Sequence, residues 1–291
     1  MKLLTKFNLV LIVFFGAGGL AIAHLAHQFL MQNARDQVLL QAELLMTSAR
    51  SARDYTSEQI KPLLLKNPEH ETDFLPQTVP AFAANTFFST MRNSYPNYSY
   101  REATLNPTNL VDRADDWETD VIRYFSDHSS EKRLVGERDT PTGRQLYLAR
   151  PMAVTPSCME CHSTPDMAPP SMVRKYGSVN GFGWNPGQII AAQIVSVPMS
   201  VPIAVGDKAF QHLIWFLVAI FAITILALDA AVYLLVIRPL RAVSTAANMV
   251  SRGQTELPAL EVRSRDEIAE VTTSFNRMHV SLAKALRMLD Q

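Results

Sequence analysis

Cys158-Met159-Glu160-Cys161-His162 is the stretch whose reading decides this chain. It holds both cysteines of a 291-residue sequence, and a histidine follows the second directly. C-x-x-C-H is the pattern of covalent haem attachment. Two thiols must reach the two vinyl groups on one edge of a porphyrin. Two intervening residues keep both sulfurs on one turn of chain, and the next side chain then lies under the iron as proximal ligand. Three other uses of such a pair fit less well. A thioredoxin-like redox pair needs a strand-to-helix setting and a lowered thiol pKa, whereas Pro156 before the motif and Ser163-Thr164-Pro165 after it indicate a loop. A structural zinc site takes four ligands, and the sequence has no second Cys/His cluster. A disulfide between residues three apart would staple almost nothing. The motif therefore predicts one c-type haem on Cys158 and Cys161, with His162 as iron ligand.

Around the motif, residues 70–210 read as a mixed α/β body. A helix is expected from Pro80 to Tyr95 with Phe82, Phe87 and Phe88 facing inward, then a strand at Tyr98–Ala103 and a turn at Asn106-Pro107-Thr108-Asn109. Asp115-Asp116-Trp117-Glu118 opens a short helix to Phe125, acidic residues suiting a first turn. Leu134–Arg138 and Gln145–Val154 read as paired strands joined through Thr140–Gly143. Ile189–Met199 is an apolar β-branched run fit for a central strand. Upstream, Gln28–Leu65 reads as one long helix. Val38, Leu39, Ala42, Leu45, Met46 and Ala49 recur at three- and four-residue spacing, so one face is buried.

Two apolar runs flank this body. Leu9–Ala26 follows Lys2 and Lys6 and is about the minimum length to span a bilayer. Ala21-Ile22-Ala23 resembles a signal-peptide cleavage site, but the apolar pattern continues past it through Leu25, Phe29 and Leu30, which favours an uncleaved anchor. His24 and His27, one turn apart at its exit, read as interfacial histidines before haem ligands. Leu213–Ile237 is the stronger span, 25 residues with one charge, Asp229, and Arg238 and Arg241 follow it. Such an acid is expected on a helix seam or against a polar group of the first span, because a lipid-facing charge is costly. The basic residues put both outer ends in the cytoplasm. The segment between is then exported to the periplasm, which is also where haem is attached covalently. The expected division is a 1–27 anchor, a 28–211 haem domain, a 212–237 membrane helix and a 238–291 helical pair. Zero formal net charge with 48% apolar residues suits a membrane protein and excludes a nucleic-acid binder.

After Pro239, Leu240, Val243, Ala247 and Val250 mark one amphipathic helix, and Gly253 ends it. A connector carrying Leu257, Leu260 and Val262 leads to Ile268, Val271, Phe275, Met278, Leu282, Ala285 and Leu289, an unbroken heptad seam. Two such helices form a four-helix bundle most readily as a homodimer.

This end resembles a HAMP domain in Pro239, Asp266-Glu267-Ile268 and Phe275-Asn276-Arg277-Met278, with Ala269 where a Gly is usual. The exported part resembles the haem-binding, PAS-like sensor family of bacterial membrane proteins. The matching stretches are Tyr100–Asn109, Asp116-Trp117-Glu118, Tyr147–His162 and Tyr176–Met199, including Gly181-Phe182-Gly183-Trp184. The resemblance implies an α+β, PAS-like haem domain that feeds a transmembrane signal. In some relatives a Cys is the sixth iron ligand. This chain has no third Cys, so that ligand does not carry over.

Met46, on the buried face of the long helix, is the first candidate for the second iron ligand, with Met91, Met152 or an open site behind it. The competing reading of Met46 is packing. Arg101 and Arg150, lone charges on expected strands, are candidate partners of haem propionates, with a surface ion pair as the alternative. The expected function is a non-enzymatic inner-membrane sensor of redox state or a diatomic gas. With no catalytic domain before Gln291, its output is expected to pass to a separate cytoplasmic signalling protein. A membrane-tethered electron-transfer cytochrome is the alternative, and it leaves the HAMP-like helices without a use.

Overall fold

A computed structural model describes residues 3–254, 256–262 and 264–289. Lys2 lies outside these, as does the side chain of Leu289. The chain divides into two compact units, residues 27–209 and residues 1–26 with 210–291.

In the first unit, four strands form one antiparallel sheet in the order β1-β4-β3-β2: β1 Ser99–Thr104, β2 Leu134–Thr140, β3 Gly143–Ala153 and β4 Ile189–Pro198. β4 is central, as its apolar run requires. β2 and β3 form a hairpin closed by Thr140 opposite Gly143. At Gly136 on β2 a Cβ would meet the Tyr147 ring, which would have to shift to admit it.

Strand alternation divides the sheet into two faces. On one face lie the rows Tyr100–Val195–Leu148, Glu102–Gln193–Arg150 and Thr104–Ala191–Met152. The other carries Arg101–Ile194–Ala149 and Ala103–Ala192–Pro151. Helix α1 (Leu3–Tyr55) buries Val38, Ala42, Met46 and Ala49 on the first face, with Phe88 and Tyr100. One turn on, the same stripe ends in Arg53, which is ion-paired with the buried carboxylate of Glu102. A π turn at Thr56–Ile60 separates α1 from α2 (Lys61–Leu64), and α3 (Pro68–Thr72) follows. Helix α4 (Pro80–Met91) buries Ala84 and Phe88. Phe82 and Phe87, expected inward, are 39% and 49% exposed. The buried line runs through residues four apart, and Phe87 lies about 100° round the helix from Phe88.

Helix α5 (Asp116–Asp127) covers the second face with Val121, Ile122 and Phe125. Its start is a capping box: Asp115 Oδ1 accepts from the Glu118 amide, and Glu118 Oε2 accepts from the Asp115 amide, each at 3.0 Å. The short helices α6 (Met159–His162) and α7 (Pro170–Tyr176) complete the unit.

In the second unit, α8 (Ser200–Val232) passes through a π turn at Tyr233–Ile237 into α9 (Arg238–Ser251), and α10 (Glu267–Leu289) follows a connector. The two apolar helices, within Leu4–Leu64 and Ser200–Ser251, reach mean hydropathies of 2.3 and 2.6 and are long enough to cross a membrane. Asp229 meets a polar group of the first of them: Asn8 Nδ2 donates to its Oδ2 at 2.9 Å. Asp266 caps α10 by accepting from the Ile268 and Ala269 amides at 3.1 Å. The Asn276 side chain fastens the connector, donating to Leu260 O at 2.8 Å and accepting from its amide at 3.0 Å. Of the heptad seam, Phe275 is buried against Ala246 and Val250 within the chain. Val271, Met278 and Leu282 are 46%, 56% and 41% exposed.

Candidate functional site

Expected as a loop, the motif forms two tight turns. Pro156–Cys158 is a 3-10 turn entered at Thr155, and Met159–His162 is a single turn of α-helix. Both thiols are free and partly accessible. Cys158 Sγ accepts from the Thr155 amide at 3.4 Å. Burial pushes the Cys161 thiol up, with Lys61 opposing it only in part. A raised thiol is the reverse of what a thioredoxin-like pair needs. Among the described residues no three His, Cys, Asp or Glu side chains gather as a metal-ion site.

His162 is held from several sides. Its Nδ1 lies 2.7 Å from Gly181 O. A carbonyl only accepts, so Nδ1 carries the proton and Nε2 presents a lone pair. Thr108 Oγ1 is 3.3 Å from the same nitrogen. Burial lowers the His162 pKa, with the Gly181 bond acting the other way, and the ring is neutral near pH 7. The Trp184 indole lies parallel to it, centroids 3.8 Å apart and planes 12° apart. Gly181 has φ +83°, and a Cβ there would collide with the Thr108 backbone at 2.8 Å. Asn106 Oδ1 accepts from the Gly181 amide at 3.2 Å. Trp184 Nε1 is buried without an acceptor. Two thiols and a neutral imidazole with one nitrogen engaged suit a group that takes two thioethers and an axial nitrogen.

The other expected site residues separate. Arg150 shares its sheet face with Met152, and Met152, like Cys158, Met159 and Trp184, packs against the buried cluster of Val154, Ile190 and Ala191. Arg101 is on the opposite face, where Nε meets Glu118 at 2.8 Å and Nη2 donates to Arg113 O at 2.5 Å. This ion pair is the arrangement weighed for Arg101 beside a propionate contact. Met46 is 1% exposed within the α1–sheet core. Its thioether is enclosed by packing there, as the packing reading of Met46 has it.

The sequence reading missed two ion pairs, one on the sheet and one at the motif. Glu102 accepts from the Tyr100 hydroxyl at 2.6 Å as well as from Arg53, and Gln193 Nε2 donates to that hydroxyl at 3.1 Å. Burial, then the Glu102 charge, pushes the Tyr100 phenol up, so it remains a donor. Lys61 Nζ lies 3.4 Å from Glu160 Oε2, between the two cysteines in sequence. Only the unbroken stripe running from Met46 into Arg53 hinted at the first pair.

Comparison with known proteins agrees with this organisation. Residues 31–198 match the family described as Tll0287-like, and residues 231–284 match the HAMP domain. Among solved structures, the cyanobacterial heme-protein Tll0287 aligns with 55% of this chain and 94% of its own at 12% identity, with a TM-score of 0.43. No curated protein matches. With more than half of its length matched, the chain belongs to the Tll0287-like family, and a HAMP domain follows that region.

Proposed function

We propose that this protein is a membrane sensor whose exported domain carries one covalent c-type haem and whose HAMP helices pass its state to a separate signalling partner. The carrying observation is the C-x-x-C-H turn with His162 neutral, its Nδ1 engaged by Gly181 and its Nε2 free. Cys158 and Cys161 supply the thioethers and His162 the axial nitrogen. When bound, haem supplies a one-electron couple or an open coordination position for a diatomic gas. Arg150, which has no ion pair among the described residues, is the proposed propionate partner. Met152 is the methionine proposed near the iron, because it packs against the same Val154, Ile190 and Ala191 cluster as Cys158 and Met159 of the motif.

The chain's own residues offer a stiff route away from the site. Arg53 ties the end of α1 to Glu102, on the sheet row between the α1 core and the row of Met152. Lys6, Arg238 and Arg241 support placing both outer ends in the cytoplasm and residues 28–211 in the periplasm, with the inner membrane between. The exposed Val271, Met278 and Leu282 supply a seam for a homodimer. HAMP and the apolar helices fit such a dimeric, non-enzymatic signalling protein.

The test is covalent haem stain after denaturing electrophoresis. Cys158→Ala or Cys161→Ala should weaken it and the double variant should abolish it; persistent stain in the double variant refutes the assignment. Optical spectra of the stained parent, with and without carbon monoxide or nitric oxide, then divide gas sensing from redox sensing. Arg150→Ala should shift the reduction potential, and Met46→Leu should leave the spectra unchanged.

A further inference from the structure

We propose that Trp184 is a positioning residue that fixes the plane of the His162 imidazole and so tunes the haem iron, an inference that rests on the c-type reading above. Axial histidines in metal sites are oriented by their surroundings, and orientation and basicity tune the metal. A hydrogen bond at Nδ1 fixes the direction of one ring atom but leaves rotation about that bond. Here the bond runs to Gly181 O at 2.7 Å, and the indole lies against the ring at 3.8 Å with planes 12° apart. The bond and the flat wall together leave the imidazole one plane, and the Nε2 lone pair one direction.

The wall is itself anchored to the motif. The Trp184 amide donates to His162 O at 3.3 Å and the Gly183 amide to Ser163 O at 2.9 Å. At the other end the Gly181 amide is held by Asn106 Oδ1 at 3.2 Å, and Thr108 packs where a side chain at 181 would stand. Gly181-Phe182-Gly183-Trp184 is therefore a clasp whose two ends act on the same imidazole. The first supplies an acceptor and the last a stacking surface. Trp184 also packs against the buried cluster of Val154, Ile190 and Ala191, as do Cys158, Met159 and Met152, so the clasp and the cysteine side of the motif share one apolar support. A role in filling space alone would need only apolar volume, whereas this role needs a planar ring.

That difference defines the test, made on the full chain matured with haem and held in detergent. Parent, Trp184→Phe and Trp184→Leu are compared by haem stain, ferric electron paramagnetic resonance and redox titration. In Trp184→Leu the g-values and midpoint potential should shift with haem still attached, and Trp184→Phe should restore both toward the parent. A haem-loaded Trp184→Leu with parental g-values and potential overturns the proposal, as does a Phe variant displaced as far as the Leu variant. If Trp184→Leu fails to load haem, the Phe variant decides by the same criterion, parental values supporting the role and shifted values removing it. A parent chain without haem stain overturns the c-type reading and this proposal together, and is thereby told apart from a failure of the proposal alone.

Discussion

Glu102 is 3% exposed and accepts from both Arg53 and the Tyr100 hydroxyl. Removing one partner of a buried pair leaves an uncompensated charge at a cost of roughly 3–5 kcal/mol, whereas an exposed pair contributes about 0–1 kcal/mol. Arg53→Ala should therefore lower thermal stability sharply, and Lys61→Ala, which breaks the accessible contact with Glu160, should change it little. Equal melting shifts would contradict this ranking. Asp112 offers a pH test. Its pKa is raised above the ordinary 3.8 by burial and then by the Glu102 charge, with Arg101 and the Asn85 hydrogen bond opposing. Between 3.8 and the raised value, the folded chain holds a proton that the unfolded chain has lost. This contribution to stability is complete below that window and is lost as pH rises through it. Asp112→Asn keeps an acceptor for Asn85 and should flatten the melting temperature across the window. A parental slope in that variant would assign the dependence elsewhere.

At the scale of elements, both π turns share a cause. Each ends two residues before a proline, Ile60 before Pro62 and Ile237 before Pro239. A proline ring inside a helix clashes with the carbonyl four residues earlier and offers no N–H. The preceding turn widens instead, and the Lys61 amide bonds to Thr56 O and the Arg238 amide to Tyr233 O. Pro62→Ala removes the clash and supplies a donor for Glu58 O. Hydrogen exchange in a peptide covering residues 56–64 should then slow relative to the parent, and unchanged exchange would separate the π turn from the proline.

For the molecule as a membrane protein, Asn8 and Asp229 form a polar pair between its apolar helices. An acid in a membrane helix costs about 2.5–3.5 kcal/mol on insertion scales, and the 2.9 Å bond from Asn8 offsets part of that. Asn8→Leu withdraws the partner, so cysteine crosslinking between the two apolar helices should fall while haem spectra stay parental. Asp229→Asn keeps an acceptor for Asn8 and should crosslink nearly as the parent does. Undiminished crosslinking in Asn8→Leu would show that the pair does not help hold the helices together.

The sequence by itself determined whatever depends on residues close in the chain. It defined the haem-type motif, the two apolar helices, β4 as a central strand, the acidic start of the helix at Asp115–Glu118 and the HAMP pattern, because spacing and periodicity are local properties. Only the tertiary structure decided which side chains meet. Arg101 and Arg150 look alike as lone strand charges, but strand register puts them on opposite faces. Met46 and Met152 are both buried or partly buried thioethers, but one lies in the α1–sheet core and the other packs against the cluster that also supports Cys158 and Met159. His162 is set by Gly181, Trp184 and Thr108, which lie 19, 22 and 54 residues away in the chain. No periodicity reports such contacts, because register and packing against distant segments create them only once the chain has folded.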